Sequence, residues 1–335
     1  MITYVLGAGA SLHAGYPLTA QLGGILLDWM RTGDVSNSDF RIRAEQVLGL
    51  YAHPVNFEHI LTDLESPAPS SPIASLTPSD LGNLRHDLRW ALREYFDSLR
   101  LHRALLYERL VRQRIQGGDT VITFNYDLAI ERALKAADLW EVGDGYGFPI
   151  EIPHLSHSRV IVLKLHGSTD WLAMIMRGSR GFQMCSNSLG SRPVIYFWHD
   201  LEFLGYPSTT RDLECAAVQS AALVPILIMP TLRKRFYFET TFGRELEGFM
   251  RALWESAQDA LACSSEIVII GYSLPEADDR ARDLLLKASN RSARVTVCCG
   301  SRSEAIRHLF LQQGFASARV EITPGEHHFR EFLDG

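Results

Sequence analysis

A short apolar strand that runs straight into glycines and then into a helix leaves a chain few ways to fold, and this chain begins with one. Tyr4-Val5-Leu6 leads into Gly7-Ala8-Gly9-Ala10-Ser11, with a helix expected over roughly Leu18–Met30. The same pattern returns further on. Thr120-Val121-Ile122-Thr123-Phe124 gives way to Asn125-Tyr126-Asp127 and a helix from about Leu128 to Ala137. Val160–Leu165 ends at His166-Gly167-Ser168, and Glu266–Ile270 ends at Gly271-Tyr272-Ser273 before a helix from about Asp278 to Ser289. Arg294–Cys298 is a last clear core strand, and Pro225–Met229 reads as another. Strands alternating with helices predict an α/β fold, a doubly wound and mainly parallel sheet with right-handed crossovers.

Two stretches fall outside that alternation. Phe57–Leu64 and Leu81–Arg114 carry apolar residues at helical spacing, separated by the proline- and serine-rich 66–72, which reads as an exposed loop. Residues 172–245 are less regular and hold the aromatic clusters Tyr196-Phe197-Trp198 and Phe236-Tyr237-Phe238. We therefore expect a single Rossmann-like domain over 1–335, with insertions at roughly 31–118 (helical) and 172–245 (mixed).

Charge and composition exclude several partners. The net charge of −6 offers no global basic field to recruit nucleic acid directly. The longest apolar runs, such as Leu223–Met229, fall far short of the roughly 20 residues that span a bilayer. Met1–Leu6 lacks a basic leader region and reads as a strand, not as an export tag. The five cysteines are odd in number and form no C-x-x-C pair, which argues against a disulfide framework or a zinc ribbon. Reduced thiols in the cytoplasm are the expectation.

In doubly wound sheets, ligands bind outside the carboxyl ends of the strands, and here four strands end in small or polar groups. Gly7 and Gly9 permit positive φ and close backbone approach, so that amides and the following helix N-terminus face a pyrophosphate. Leu12 occupies the last glycine position of G-x-G-x-x-G, so the turn is not a dehydrogenase fingerprint. Alone, His166 would be a structural residue at a strand end, and Asn125 would cap the helix near Leu128. Together, an imidazole and a carboxamide beside a phosphate cradle suit chemistry on a ribose. His154, His157 and His166 lack the H-x-x-x-H spacing or cysteine partner of a metal site, so no metal is expected.

The motifs Gly7–Ser11, Thr123–Asp127, Leu165-His166-Gly167 and Gly271-Tyr272-Ser273 resemble, in order, the NAD-site motifs of sirtuins. Lys164–Trp171 and Ile270–Asp278 are similar in wording to a bacterial sirtuin-like group of NAD-consuming antiviral defence proteins. The resemblance spans about residues 2–300. It implies NAD as substrate, contacts from Gly7, Ala8, Gly9, Ser11, Pro17, Thr123, Asp127, Gly271 and Ser273, and catalysis by Asn125 and His166. Asp127 and Ser273 would fix the riboses. Sirtuin deacylases also carry two C-x-x-C pairs and a proline-aspartate-phenylalanine-arginine segment. Here the pairs are missing and Leu18-Thr19-Ala20 follows Pro17. The expectation is an NAD glycohydrolase, with a nucleotide sensor or a deacylase or ADP-ribosyltransferase as alternatives. A homo-oligomer or an activating protein partner is expected to control it.

Overall fold

The computed structural model describes residues 1–32, 39–51, 56–99, 103–142, 144–147, 158–178, 181–184, 195–199, 202–205, 221–228, 243–325 and 327–335. Its centre is a six-stranded, all-parallel sheet. In chain order the strands are β1 (Ile2–Leu6), β2 (Thr120–Thr123), β3 (Ile161–Lys164), β9 (Glu266–Ile270), β10 (Arg294–Cys298) and β11 (Val320–Ile322). They lie in the spatial order β11-β10-β9-β1-β2-β3. This is the doubly wound order in which both halves grow outward from the centre, and the direction of winding reverses between β1 and β9. The six strands are short, and the middle ones are buried on both faces, as parallel strands under helices must be.

Register matters more to function than strand count. Leu6 stands opposite Thr123 and Ile270, Thr123 opposite Lys164, and Ile270 opposite Cys298. Five strands therefore end flush. The ladder continues one step past them. Gly7 N–H donates to Ile270 O, Phe124 N–H to Leu6 O, Leu165 N–H to Thr123 O and Gly271 N–H to Cys298 O, all at 2.9–3.0 Å. Every motif singled out above thus leaves the sheet at one level of one edge.

After β1 the chain makes a single short helix α1 (Ala8–Ser11) and then α2 (Thr19–Thr32). Between α2 and β2 come α3 (Asp39–Leu48), α4 (Phe57–Glu65), α5 (Pro78–Ser98) and α6 (Leu105–Gln113). The continuous helical stretch expected over Leu81–Arg114 is thus two helices. The start of α5 lies three residues earlier, where a reciprocal cap forms: Asp80 N–H donates to Thr77 Oγ1, and Thr77 N–H donates to Asp80 Oδ2. Helix α7 (Ala129–Lys135) follows β2.

A second sheet departs from the expected alternation. Instead of turning into a helix, the chain after His166 runs directly into β4 (Gly167–Gly178), which pairs antiparallel with β5 (Gly181–Met184), β6 (Ile195–His199) and β8 (Ala221–Leu227). β7 (Glu202–Gly205) pairs with β6. The strand expected at Pro225–Met229 is therefore a strand of this antiparallel sheet through Leu227, while Met229 lies outside the described residues. Gly167 is what lets the two strands meet. Its φ is +84°, and a Cβ there would sit 2.1 Å from Ile226 O. Tyr196-Phe197-Trp198 lies on β6, and Phe236–Phe238 falls outside the described residues. The chain closes with α8 (Gly243–Cys263) before β9, α9 (Asp279–Asp283) before β10, α10 (Ser303–Gln312) before β11, and α11 (His328–Asp334).

Candidate active site

The crevice between the ends of β1 and β9 is the switch point, and the chain fills its floor with backbone. Gly7 N–H and Gly9 N–H donate to Ile270 O and Gly271 O, each at 3.0 Å. A Cβ on Gly7 would lie 2.6 Å from Tyr272 Cα, and one on Gly9 would lie 2.9 Å from Gly271 Cα. Close approach, one of two reasons given for these glycines, is thus met by the neighbouring turn of the same chain. The other reason is not. Gly7 has φ −123°, Gly9 is not among the positive-φ glycines, and the left-handed residues are Gly271 (φ +63°) and Leu274 (φ +49°) on the opposite turn.

Gly271 is the tightest point of this contact. An added Cβ would fall 2.1 Å from Ala10 N and 2.4 Å from Gly9 C, both backbone atoms that no rotamer change can move. Overpacking of this kind costs about 1–3 kcal/mol, and a left-handed alanine roughly 1 kcal/mol more. Gly271→Ala is expected to lower stability by about 2–4 kcal/mol, read from the midpoint of urea unfolding.

On the β1 side, a buried network joins five of the expected site residues: Gly7, Ser11, Thr123, Asn125 and Asp127. Asn125 Nδ2 lies 3.0 Å from both Gly7 O and Ser11 Oγ. A carbonyl only accepts, so the amide nitrogen faces it and Oδ1 faces elsewhere. Ser11 Oγ donates to Asp127 Oδ2 at 2.8 Å, which makes Tyr107 Oη, 2.9 Å away, a donor to Ser11. Ser11 is 1 % exposed, and its hydroxyl is spent on the protein itself. Burial, followed by the charge of Asp127, pushes the Tyr107 phenol well up, so Tyr107 stays a neutral donor. At the start of α7 it is Asp127, and not Asn125, whose side chain meets the helix: its Oδ1 accepts the N–H of Ala129 at 2.9 Å. Thr123 Oγ1 accepts the amide of Asn125 at 3.1 Å and shapes the turn from beneath.

His166 enters from β3, held at its backbone by the second sheet. Ile228 N–H donates to His166 O at 2.8 Å, and the Tyr126 hydroxyl donates to Ile228 O. The end of β8 therefore ties the ends of β2 and β3 together. The imidazole packs edge-on against Phe124, the neighbour of Asn125, with ring centroids 5.0 Å apart. Phe124 in turn stacks on Tyr272 at 4.2 Å with an interplanar angle of 17°. This aromatic pair bridges the turns of β2 and β9 above Gly7. It brings Asn125, His166 and Gly271 into one contiguous unit.

The remaining expected residues lie around this unit. Ala8 and Gly9 are half-buried at the start of α1, Pro17 is half-buried ahead of α2, and Ser273 is exposed on the β9 turn. Three features escaped sequence reading: Tyr107 as a partner of Ser11, the buried pair Lys164–Glu131 below Asp127, and Asp278 beside His166. Only Lys164 gave a signal, as a lone charge in an apolar strand. Among the described residues, no group of three or more His, Cys, Asp or Glu side chains is placed to hold a metal ion, and no helix is long and apolar enough to cross a membrane. His154 and His157 lie outside the described residues.

The chain is similar to several solved structures of Sir2 proteins. It is similar to a Sir2 homolog in complex with NAD, at 14% identity over 99% of this chain and 90% of that one, with a TM-score of 0.45. It is also similar to a structure on the basis of sirtuin substrate affinity, at 13% identity over 89% of this chain and 81% of that one, TM-score 0.37. A Sir2 enzyme bound to the inhibitor EX-527, 2'-O-acetyl-ADP-ribose and a deacetylated p53 peptide matches at 11% identity over 89% and 80%, TM-score 0.37. No protein-family model and no curated protein matches the chain.

Proposed function

We propose that this chain hydrolyses NAD to nicotinamide and ADP-ribose at the carboxyl edge of the parallel sheet. The observation that carries the reading is the convergence of Asn125, Asp127 and His166 on one flush sheet edge beside the glycine turn. Breaking the bond between the anomeric carbon and the nicotinamide nitrogen sends the bonding pair to the pyridine ring, which leaves neutral. The ribose becomes oxocarbenium-like, water adds to the same carbon, and one proton is released. With Nδ2 of Asn125 committed to Gly7 and Ser11, Oδ1 is the atom that accepts a bond from a ribose hydroxyl or the attacking water. His166 takes the released proton, through a ribose hydroxyl or from the water itself, a role typically worth 10² to 10⁴ in rate. Ser11 contributes by fixing Asn125 and Asp127. Gly7, Ala8, Gly9, Pro17, Thr123, Gly271 and Ser273 complete the dinucleotide site. No metal is required, because positioning and fixed dipoles carry the reaction.

Hydrolysis is favoured over peptide deacylation by the missing C-x-x-C pairs and by Leu18-Thr19-Ala20 after Pro17. A free NAD hydrolase would drain its own cell. The reading therefore includes a cytoplasmic antiviral effector that a second copy or a protein partner switches on. To test it, NAD is incubated with the protein over a range of protein concentrations, with and without an acetylated lysine peptide. Nicotinamide release that needs no peptide, from protein containing no stoichiometric zinc, is the expected result. Release only with the peptide, or zinc at one per chain, overturns it.

A further inference from the structure

The β9 turn returns a carboxylate to the site at the last residue of the Ile270–Asp278 segment, a residue given no part in the proposed chemistry. Asp278 lies seven residues beyond Gly271, at the start of α9. Its Oδ2 is 3.2 Å from His166 Nε2 and 2.9 Å from the Tyr272 hydroxyl. Both partners of the ion pair are withdrawn from water, with side-chain exposures of 8 % for His166 and 2 % for Asp278. Its backbone is fixed as well: Asp278 N–H donates to Pro275 O at 3.0 Å, and Arg282 N–H donates to Asp278 O at 2.9 Å. A short buried carboxylate on a clamped backbone has little freedom to point elsewhere.

From this geometry we infer that Asp278 is a positioning residue for His166. The inference rests on the hydrolase reading for its catalytic consequence, and on the ion pair alone for its structural one. An ionised carboxylate has no proton to give, so the proton shared with His166 belongs to Nε2. The neutral ring is then the tautomer with Nδ1 as the basic nitrogen, and proton exchange with a substrate falls to Nδ1. Asp278 also stabilises the imidazolium that forms when His166 takes a proton, as an orienting carboxylate does for other histidine bases. Tyr272 shares the same oxygen and, through its stack on Phe124, ties the orientation of the pair to the turn that carries Asn125.

The charged and titratable groups around the pair come from three sides. Tyr272 donates to Asp278 from the β9 turn; Asp278 raises the Tyr272 phenol after burial does, and the charge of Arg282 of α9 lowers it. Tyr126, from the β2 turn, feels Asp278 together with Glu58 of α4 and Arg89 of α5. Arg280 of α9 lies over the Trp254 ring of α8, and the Cys299 thiol donates to Tyr272 O. Asp278 is in direct contact with the imidazole, an ion pair whenever the ring is protonated. Asp278→Asn keeps the size and removes the charge.

Two measurements test the inference. The first uses the unsubstituted protein without NAD: nitrogen-15 NMR of His166 above its titration is expected to show the proton on Nε2, and a proton on Nδ1 overturns the assignment. The second compares Asp278→Asn and Asp278→Glu with the parent. Asp278→Asn is expected to lower kcat about 10²-fold and to move the acid limb of kcat/KM to lower pH by about one unit or more. The NMR titration of His166 is expected to move the same way, and Asp278→Glu to restore the limb in part. A folded Asp278→Asn protein with both the limb and the NMR titration unmoved contradicts the inference. If the parent protein releases no nicotinamide, the hydrolase reading fails instead, and the NMR result still decides the pair.

Discussion

His166→Ala is expected to leave a folded protein that releases nicotinamide 10² to 10⁴ times more slowly than the parent, with Asn125→Ala in the same range. The two losses have different origins. His166→Ala removes the group that receives the proton. It also leaves Asp278 buried with one partner fewer, although Tyr272 still donates to it. Asn125→Ala removes a carboxamide that positions the ribose or the water. It also deprives Gly7 O and Ser11 Oγ of a donor. That second cost is structural, of the order of 1–3 kcal/mol for buried acceptors. Asn125→Ala should therefore lower the urea midpoint measurably while remaining folded. Steady-state nicotinamide release, with unfolding curves on the same preparations, separates the two contributions. A folded His166→Ala protein with undiminished turnover removes His166 from the mechanism.

Lys164→Met is expected to destabilise the fold by about 3–5 kcal/mol, the usual cost of breaking a buried ion pair from one side. Lys164 and Glu131 are both 0 % exposed at their side chains, and Nζ lies 2.6 Å from Glu131 Oε1. The same ammonium donates to Asp127 O at 2.6 Å, directly under the turn that carries Asn125. Methionine fills the space but leaves Glu131 without its cation. In the parent, burial pushes the Glu131 carboxyl up against the pull of Lys164, and losing Lys164 pushes it up further. A carboxyl whose folded pKa is raised favours folding at low pH, and that advantage is lost as the pH climbs through the folded value. The deficit of Lys164→Met should therefore be small near pH 4.5 and grow as the pH rises. Urea unfolding at several pH values measures it, and the double change Lys164→Met with Glu131→Leu should recover most of the loss. A deficit equal at acid and neutral pH would mean that Glu131 carries no charge in the parent.

The sheet was legible because its signals are local. Runs such as Val121-Ile122-Thr123 and Ile267–Ile270 fit only strands buried on both faces, and a residue that breaks such a run marks its end. Strand ends in a parallel sheet share one edge, so naming the ends amounted to naming one face of the sheet. Side-chain direction was not legible. Asn125 and Asp127 are two residues apart in one turn, and which of them meets the start of α7 depends on Gly7 and Ser11, more than a hundred residues away. The glycines of the first turn were read as room for a ligand; that an added Cβ would also meet Tyr272 or Gly271 of the β9 turn was not legible. Asp278 closes the Ile270–Asp278 segment, but nothing local aimed it at His166, since an aspartate before a helix reads first as a cap. The antiparallel continuation after His166 was hidden for a similar reason. Gly167 looks like the end of an element until Ile226 passes 2.1 Å from where its Cβ would be.

The central claim is that NAD is cleaved by water at the sheet edge that holds Asn125 and His166. Its most direct test is a product profile from NAD incubated with the parent protein and with Asn125→Ala, across protein concentration and with candidate partners. Nicotinamide and ADP-ribose should appear in equal amounts from the parent, and at 10² to 10⁴ times lower rate from Asn125→Ala under the condition that activates the parent. NAD left intact by the parent under every condition, or cleaved as fast by a folded Asn125→Ala protein, would contradict the account.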